Sequence, residues 1–169
     1  MKNSSRRLLT FLMLLVLGGS VLAHSEAMPS SIVAPAPDFF WRQGGKIEHL
    51  SSLRGKPVLL IIAPSPKTHA LRSQLGELKD LYEKLAAQGM IACVAFTQEE
   101  GRVPSNVPFV VVLDGPATAA AYNVRKGFAV AVIGADGNLD CLSTRPLPGQ
   151  RIHDLIDASY TTQSLLRRP

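Results

Sequence analysis

The chain of 169 residues has only two cysteines, Cys93 and Cys141, and no Cys-x-x-Cys pair. That scarcity excludes a disulfide-dense small protein and the close spacing of a structural zinc site. Metal-ligand spacing is also absent from the four histidines, which are His24, His49, His69 and His153. Residues 136–140 lack the oxygen pattern of a calcium loop, and Gly55-Lys56-Pro57 lacks the further residues of a phosphate loop. The sequence therefore predicts no metal and no cofactor.

A large excess of one charge is missing as well. The formal net charge is +5, but the first 23 residues hold three of the 18 basic residues and none of the 13 acidic ones. Without them, 15 bases face 13 acids, a net charge of +2. Two of those bases, Arg167 and Arg168, lie in the last three positions. We therefore expect no nucleic-acid-binding surface.

What is present is the composition of one ordinary globular domain, with 46% hydrophobic residues, 12 prolines and 13 glycines. Disordered, collagen-like and repeat architectures are excluded. No internal repeat is visible in the sequence.

The first 23 residues have the layout of a secretory signal peptide. A basic head at residues 2–7 precedes an apolar run over 8–17, a Gly-Gly-Ser break and Val21-Leu22-Ala23. The run is about half the roughly 20 residues that cross a bilayer, and no cysteine follows it for a lipid anchor. We expect cleavage after Ala23 or Ala27 and export to the periplasm or the medium, with no membrane attachment afterwards. The Arg6-Arg7 pair leaves the general and twin-arginine export routes both open.

The mature chain divides into three predicted parts. Residues 24–37 are rich in Pro, Ser and Ala and are typical of a flexible lead-in. Residues 38–158 carry the periodic apolar pattern of a folded domain, and residues 159–169 are predicted as a C-terminal tail.

The apolar pattern predicts an alternation of strands and helices. Gly44-Gly45 marks a hairpin, and the apolar run at 58–63, between two prolines, is typical of a strand buried on both faces. Ser65 and Pro66 favour the start of a helix, whose leucines repeat on one face until Gly89 ends it. Further predicted strands are 90–96, 109–113, 128–133 and 139–143, and further helices are 117–122 and 148–158. The prediction is an α/β domain with a mixed central sheet, helices on both faces and an N-terminal β-hairpin.

These landmarks resemble a known family. The stretches that carry the likeness are 36–39, 45–60, 108–114, 121–124 and 133–137, in order and at plausible spacing. The sequence is similar to thioredoxin-fold redoxins of the peroxiredoxin kind, the alkyl hydroperoxide reductase and thiol-specific antioxidant proteins. The resemblance covers about residues 36–157 and implies a thioredoxin-like fold.

The loop that carries the chemistry in that family is altered here. Peroxiredoxins have Pro-x-x-x-Thr-x-x-Cys, and this chain has Pro64, Thr68 and then Leu71 in place of the cysteine. In the family that cysteine attacks peroxide as a thiolate, with help from the threonine and an arginine. The aligned arginine position holds Phe128, although Arg125 and Lys126 lie nearby in the sequence. The resemblance thus implies a degenerate site without its nucleophile.

The other residues of this loop have structural as well as functional interpretations. Thr68 could orient a ligand or bond the backbone, and His69 could titrate near neutral pH or simply be solvated. Lys67, with the free amides of the first helical turn, could attract an anion. Leu71 continues the apolar helix stripe, which predicts a core position.

Three functions follow as hypotheses. The first is an exported redoxin-like protein without peroxidase chemistry, acting as a binding or accessory module for an unidentified protein partner. The second is a thiol-dependent antioxidant oxidoreductase that uses Cys93 or Cys141. The third is a small-anion site formed by Lys67, Thr68 and His69, with Arg125 as a further candidate.

The resemblance also bears on the two cysteines. In a thioredoxin-like sheet three inter-strand steps separate their strands, which is roughly 14 Å against the limit of about 7 Å for a disulfide. Both are therefore predicted to be reduced and buried.

Overall fold

A computed structural model describes the backbone of residues 34–125 and 127–166 and the side chains as far as Ser159. The predicted signal peptide and the lead-in up to Val33 lie outside the described residues, as does Lys126. The strands are β1 (Phe40–Gln43), β2 (Lys46–His49), β3 (Val58–Ala63), β4 (Ile91–Phe96), β5 (Phe109–Val111), β6 (Ala129–Ile133) and β7 (Leu139–Ser143). The α-helices are α1 (His69–Lys79), α2 (Tyr82–Ala87), α3 (Gly115–Ala121) and α4 (Gly149–Leu166), and a short 3-10 helix spans Leu50–Leu53.

The predicted β3 is the central strand of a five-stranded sheet with the order β5-β4-β3-β6-β7. It pairs in parallel with β4 and antiparallel with β6, so the sheet is mixed, as predicted. All six residues of β3 are buried, which the uninterrupted apolar run requires. The predicted hairpin is also confirmed, with β1 and β2 paired antiparallel as a separate small sheet.

Successive side chains of β3 lie alternately in two hydrophobic clusters on opposite faces of the sheet. Leu59, Ile61 and Ala63 point into the cluster beneath α1, α2 and α4, here called the helix-side cluster. Leu60 and Ile62 point into the cluster beneath the hairpin and α3, here called the hairpin-side cluster. Helices therefore cover both faces of the sheet, as the sequence predicts.

The predicted continuous helix from Ser65 to Gly89 is wrong in two respects. It begins at His69, because Ser65 accepts a bond from the Lys67 amide in a turn that precedes the helix (3.3 Å). It also ends at Lys79 and restarts as α2, the Leu81 amide donating to the carbonyl of Leu78 (3.2 Å) in a tightened turn.

The break in the helix lies where α4 begins against it. A side-chain carbon at Gly149 would collide with the carbonyl oxygen of Glu77, so the start of α4 approaches α1 at backbone distance. Both α1 and α2 still bury the predicted apolar face, since Leu71, Leu78 and Leu85 are all fully buried.

Both boundaries of the folded domain also differ from the predicted ones. The sequence predicts a lead-in up to Pro37, but residues 34–37 are hydrogen-bonded to the β6–β7 turn. The Ala36 amide donates to the Gly137 carbonyl (3.0 Å), and the Leu139 amide donates to the Ala34 carbonyl (2.8 Å). These backbone bonds do not depend on side-chain type, so the Pro and Ala composition gave no sign of them.

At the other end, α4 continues through the predicted tail to Leu166 rather than stopping at Ala158. The physical reason is local, because no glycine or proline occurs between residues 159 and 168 to end the helix.

The two cysteines are free and buried, as predicted. Cys93 on β4 belongs to the hairpin-side cluster and Cys141 on β7 belongs to the helix-side cluster, so the sheet itself separates them. The strand order confirms the three steps from β4 to β7. Burial raises the pKa of Cys93 from 9.0 to about 12, and burial also raises the pKa of Cys141, an effect that Arg151 opposes and Asp140 reinforces.

Replacing Leu71 with alanine should reduce the free energy of unfolding by about 2 to 5 kcal/mol, the usual range for truncating a leucine in a packed core. Leu71 has no exposed surface. Chemical denaturation of Leu71→Ala beside Leu113→Ala, whose parent leucine is 41% exposed, measures the difference. Equal stability of the two variants would contradict the core position of Leu71.

Thiol titration should count two free thiols per chain after denaturation without reductant, because the cysteines lie on opposite faces. In the folded protein we expect alkylation of Cys93 to be much slower than that of an exposed thiol at every pH between about pH 7 and pH 9, since burial blocks the reagent and the raised pKa keeps the thiolate fraction low. Mass spectrometry of alkylated native protein follows both sites. A native alkylation rate equal to that of the denatured protein at the same pH would contradict this burial.

Candidate functional site

The candidate site lies at the edge of the sheet where β3 and β4 end. Because these strands are parallel, Ala63 and Phe96 are paired at this edge, and the loops that follow them meet. The carbonyl of Pro64 accepts bonds from the amides of Gln98 (3.1 Å) and Glu99 (3.0 Å). Carboxyl ends of strands in open α/β sheets are the usual place for ligands.

Within the loop at residues 64–71, Thr68 bonds to its own turn. Its hydroxyl oxygen accepts a bond from the Ser65 amide (3.2 Å), and its amide donates to the Ser65 carbonyl (3.1 Å). These bonds close the turn over residues 65–68 and position the start of α1. The structural interpretation of Thr68 therefore has a defined geometry, and its ligand role stays a prediction.

Leu71 occupies the first turn of α1 and points into the helix-side cluster, fully buried. Its neighbours there include Ala63 and Phe128, which is also buried. The two positions that the resemblance assigns to the cysteine and the arginine thus hold apolar side chains in one cluster. This part of the site contains neither a nucleophile nor a cation.

Lys67 and His69 flank Thr68 at the start of α1, and both side chains are exposed. In the described part of the chain neither side chain has a hydrogen bond or an ion pair. The structure thus places the exposed Lys67 and His69 on either side of the half-buried Thr68, at the start of an 11-residue helix. Their assignment as an anion site stays a prediction.

Arg125 lies elsewhere on the same edge, across the 97–99 segment. It lines a cavity of about 610 Å³ formed by the end of β4, the helix α3 and the loop before β6. The described lining of that cavity does not include the loop at 64–71, so the structure does not join Arg125 to Lys67 and His69.

Local sequence features shape this cavity. Asp114 caps α3 by accepting a bond from the Ala117 amide (2.9 Å), and Gly115 allows the helix to start against β4, since a side chain there would collide with the Phe96 carbonyl. The helix therefore starts two residues before the predicted Ala117.

The end of α3 turns the chain toward the cavity. The Asn123 amide donates to Ala120 (3.0 Å) and the Val124 amide donates to Ala119 (2.8 Å), the paired bonds of a Schellman motif. Asn123 has a φ of 57°, a left-handed conformation that asparagine tolerates better than most residues. This turn buries Val124 and leaves Arg125 exposed at the rim.

Three polar residues of this cavity, Thr97, Gln98 and Asn123, are not among the candidates predicted from the sequence. Thr97 and Gln98 follow the second buried strand, so the rule that ligands bind beyond the carboxyl ends of strands could have identified them. Asn123 carries no comparable local signal, because its place depends on how α3 packs on β4.

Two other features are absent from the described residues. No group of three His, Cys, Asp or Glu side chains there is arranged to hold a metal ion. None of the helices in that part of the chain combines the length and hydropathy needed to span a bilayer.

No known protein family and no curated protein matches the sequence. Solved structures do match the fold. A 2-Cys peroxiredoxin from Plasmodium vivax aligns with a TM-score of 0.60 and 15% identity, over 80% of this chain and 99% of that chain. A secreted thiol-disulfide isomerase from Corynebacterium glutamicum aligns with a TM-score of 0.61 and 15% identity, over 82% and 96% of the two chains.

The peroxidoxin BcpB from Mycobacterium tuberculosis aligns with a TM-score of 0.56 and 18% identity, over 82% of this chain and 99% of that one. The structural neighbours are thus thioredoxin-fold redoxins, among them peroxiredoxins and thiol:disulfide oxidoreductases. At these identities the likeness concerns architecture, and this chain has a thioredoxin-like fold.

Proposed function

We propose that this chain is an exported thioredoxin-fold protein that performs no thiol chemistry and acts as a binding or accessory module. One observation carries the proposal: Leu71, which the resemblance assigns to the peroxidatic position, is fully buried among core residues. A leucine has no lone pair with which to attack peroxide or a disulfide, and its burial supports a packing role.

The burial of both cysteines supports the same conclusion. A reactive cysteine needs an accessible thiolate, which in enzymes comes from a lowered pKa. Here the pKa values of Cys93 and Cys141 are both raised by burial, and Cys93 has no exposed surface. Each thiol fits the description of a small buried hydrophobe.

The alternative is a thiol-dependent oxidoreductase that uses Cys93 or Cys141. The names of the structural neighbours, which include a peroxiredoxin and a thiol-disulfide isomerase, favour this class. It would require the sheet to open around one sulfur, because both lie within the hydrophobic clusters. We therefore rank it second.

Export rests on the amino-terminal sequence. The basic head, the short apolar run and the small residues before His24 are those of a signal peptide. One structural neighbour is described as secreted, which is consistent with export of this chain. An oxidising compartment is compatible with two cysteines too far apart to pair.

Purified mature protein should not accelerate peroxide reduction or disulfide reduction above the free-thiol background, since the nucleophile position holds Leu71. Peroxide-consumption and insulin-reduction assays, with a thioredoxin-fold enzyme as positive control, measure this. The matched variant is Cys93→Ala with Cys141→Ala, which removes the thiols without burying a hydroxyl.

Turnover that the double variant abolishes would replace the proposal with the thiol-enzyme alternative. Turnover that the double variant retains would contradict the assignment of Leu71 to the peroxidatic position. The single variants then identify which thiol is responsible in the first case.

Expression of the full chain in a Gram-negative host should give a periplasmic product that lacks the first 23 or 27 residues, because small side chains precede both cleavage points. Intact mass and cell fractionation measure the product. A full-length product in the cytoplasm would contradict export. Replacing both Arg6 and Arg7 with lysine tests the route, since twin-arginine export depends on that pair.

A further inference from the structure

The cavity beside α3 combines volume with a mixed lining. Its volume of about 610 Å³ lies within the range of small-molecule sites. The floor includes Ala119 and Val124, which are 4% and 8% exposed. Thr97, Gln98 and Asn123 contribute hydroxyl and amide groups. An apolar floor with a few polar groups is the usual composition of a ligand pocket.

The described lining of this cavity carries charge of only one sign, which is positive. Arg125 is the basic residue of the described lining, and no acidic residue lines the cavity with it. In the part of the chain that the structure describes, Arg125 makes no salt bridge. Its guanidinium can therefore offer its paired N–H donors to a planar anion, the bidentate geometry that carboxylates accept.

The turn that carries Arg125 is built by specific bonds. The two Schellman bonds at the end of α3 set the direction of the chain at Asn123 and Val124. Val124 packs in the hairpin-side cluster, one residue before Arg125. The cation is thus attached to a packed residue, so its backbone position at the cavity rim is defined.

We infer that this cavity binds a small organic carboxylate with an apolar body. The carboxylate contacts Arg125 at the rim, the apolar body lies on Ala119 and Val124, and Thr97 or Asn123 can bond to polar substituents. The inference deepens the proposed binding role by naming a ligand class, and it rests on that role. It is distinct from the anion site predicted at Lys67 and His69, which does not line this cavity.

The experiment titrates isotope-labelled protein with 2-naphthoate and, separately, with its uncharged analogue 2-naphthamide. We expect saturable shifts of the amide signals of Thr97, Asn123 and Arg125 with naphthoate, and weaker binding of the amide. In Arg125→Gln, binding of naphthoate should weaken about fivefold, as an ion pair at an exposed arginine allows, while binding of the amide stays unchanged.

Two further variants make the result specific. Ala120→Leu keeps a good helix former on α3 and fills part of the cavity, so it should weaken both probes. Arg145→Gln removes an exposed arginine that lies outside the cavity lining, and it should leave both affinities unchanged. The amide spectra show directly that each variant is folded.

Equal affinity for the acid and the amide would overturn the inference, as would shifts centred on Lys67 and His69 or the absence of saturable binding. These outcomes are separate from those of the proposed function. Thiol-dependent turnover would overturn the non-catalytic role without moving the naphthoate shifts. A failed naphthoate titration would leave the enzyme assays as they are.

Discussion

The rest of the structure depends on the burial of β3 on both faces. Its six residues have at most 1% exposure, and each alternate side chain enters a different cluster. A strand in that position needs hydrogen-bonded neighbours on both edges and apolar cover on both faces. β4 and β6 supply the first, and the helices and the hairpin supply the second.

The burial of β3 also determines which side chains of the candidate site are packed in the core. α1 must lie on the face that Leu59 and Ile61 form, and Leu71 in its first turn becomes part of the cover. The position that the resemblance assigns to the catalytic cysteine is here buried in the core. The same sheet places Cys93 and Cys141 on opposite faces, where burial raises the pKa of each. Packing in the core favours apolar side chains at these positions, whereas thiol reactivity would require an accessible thiolate.

Polar groups secure the periphery of this core. Gln74 in α1 is fully buried, and its side-chain amide exchanges two bonds with the backbone of Leu147, at 3.0 and 2.7 Å. The pair satisfies polar groups that would otherwise be buried without partners, a loss of about 1 to 3 kcal/mol for each group. It also joins α1 to the segment that leads into α4, close to the approach of Gly149 to Glu77.

The sequence by itself determined the strands, the hairpin and the identity of the core. The strand at 58–63 could be predicted from composition, because a strand buried on both faces tolerates no polar residue. The buried positions of Leu71, Leu78 and Leu85 could be predicted from their helical spacing. The continuation of α4 past Ala158 was also locally encoded, in the absence of a helix breaker, although it was not predicted.

Only the tertiary structure decided which loops meet at the edge of the sheet. Arg125 was a candidate from its position in the sequence, but its separation from Lys67 and His69, and its place beside Thr97 and Asn123, follow from strand order and the packing of α3. The backbone hydrogen bonds of residues 34–37 to the β6–β7 turn were likewise decided by the tertiary structure. Local periodicity reports which face of an element is buried, whereas these contacts join residues distant in the chain through backbone atoms, which are alike in every residue type.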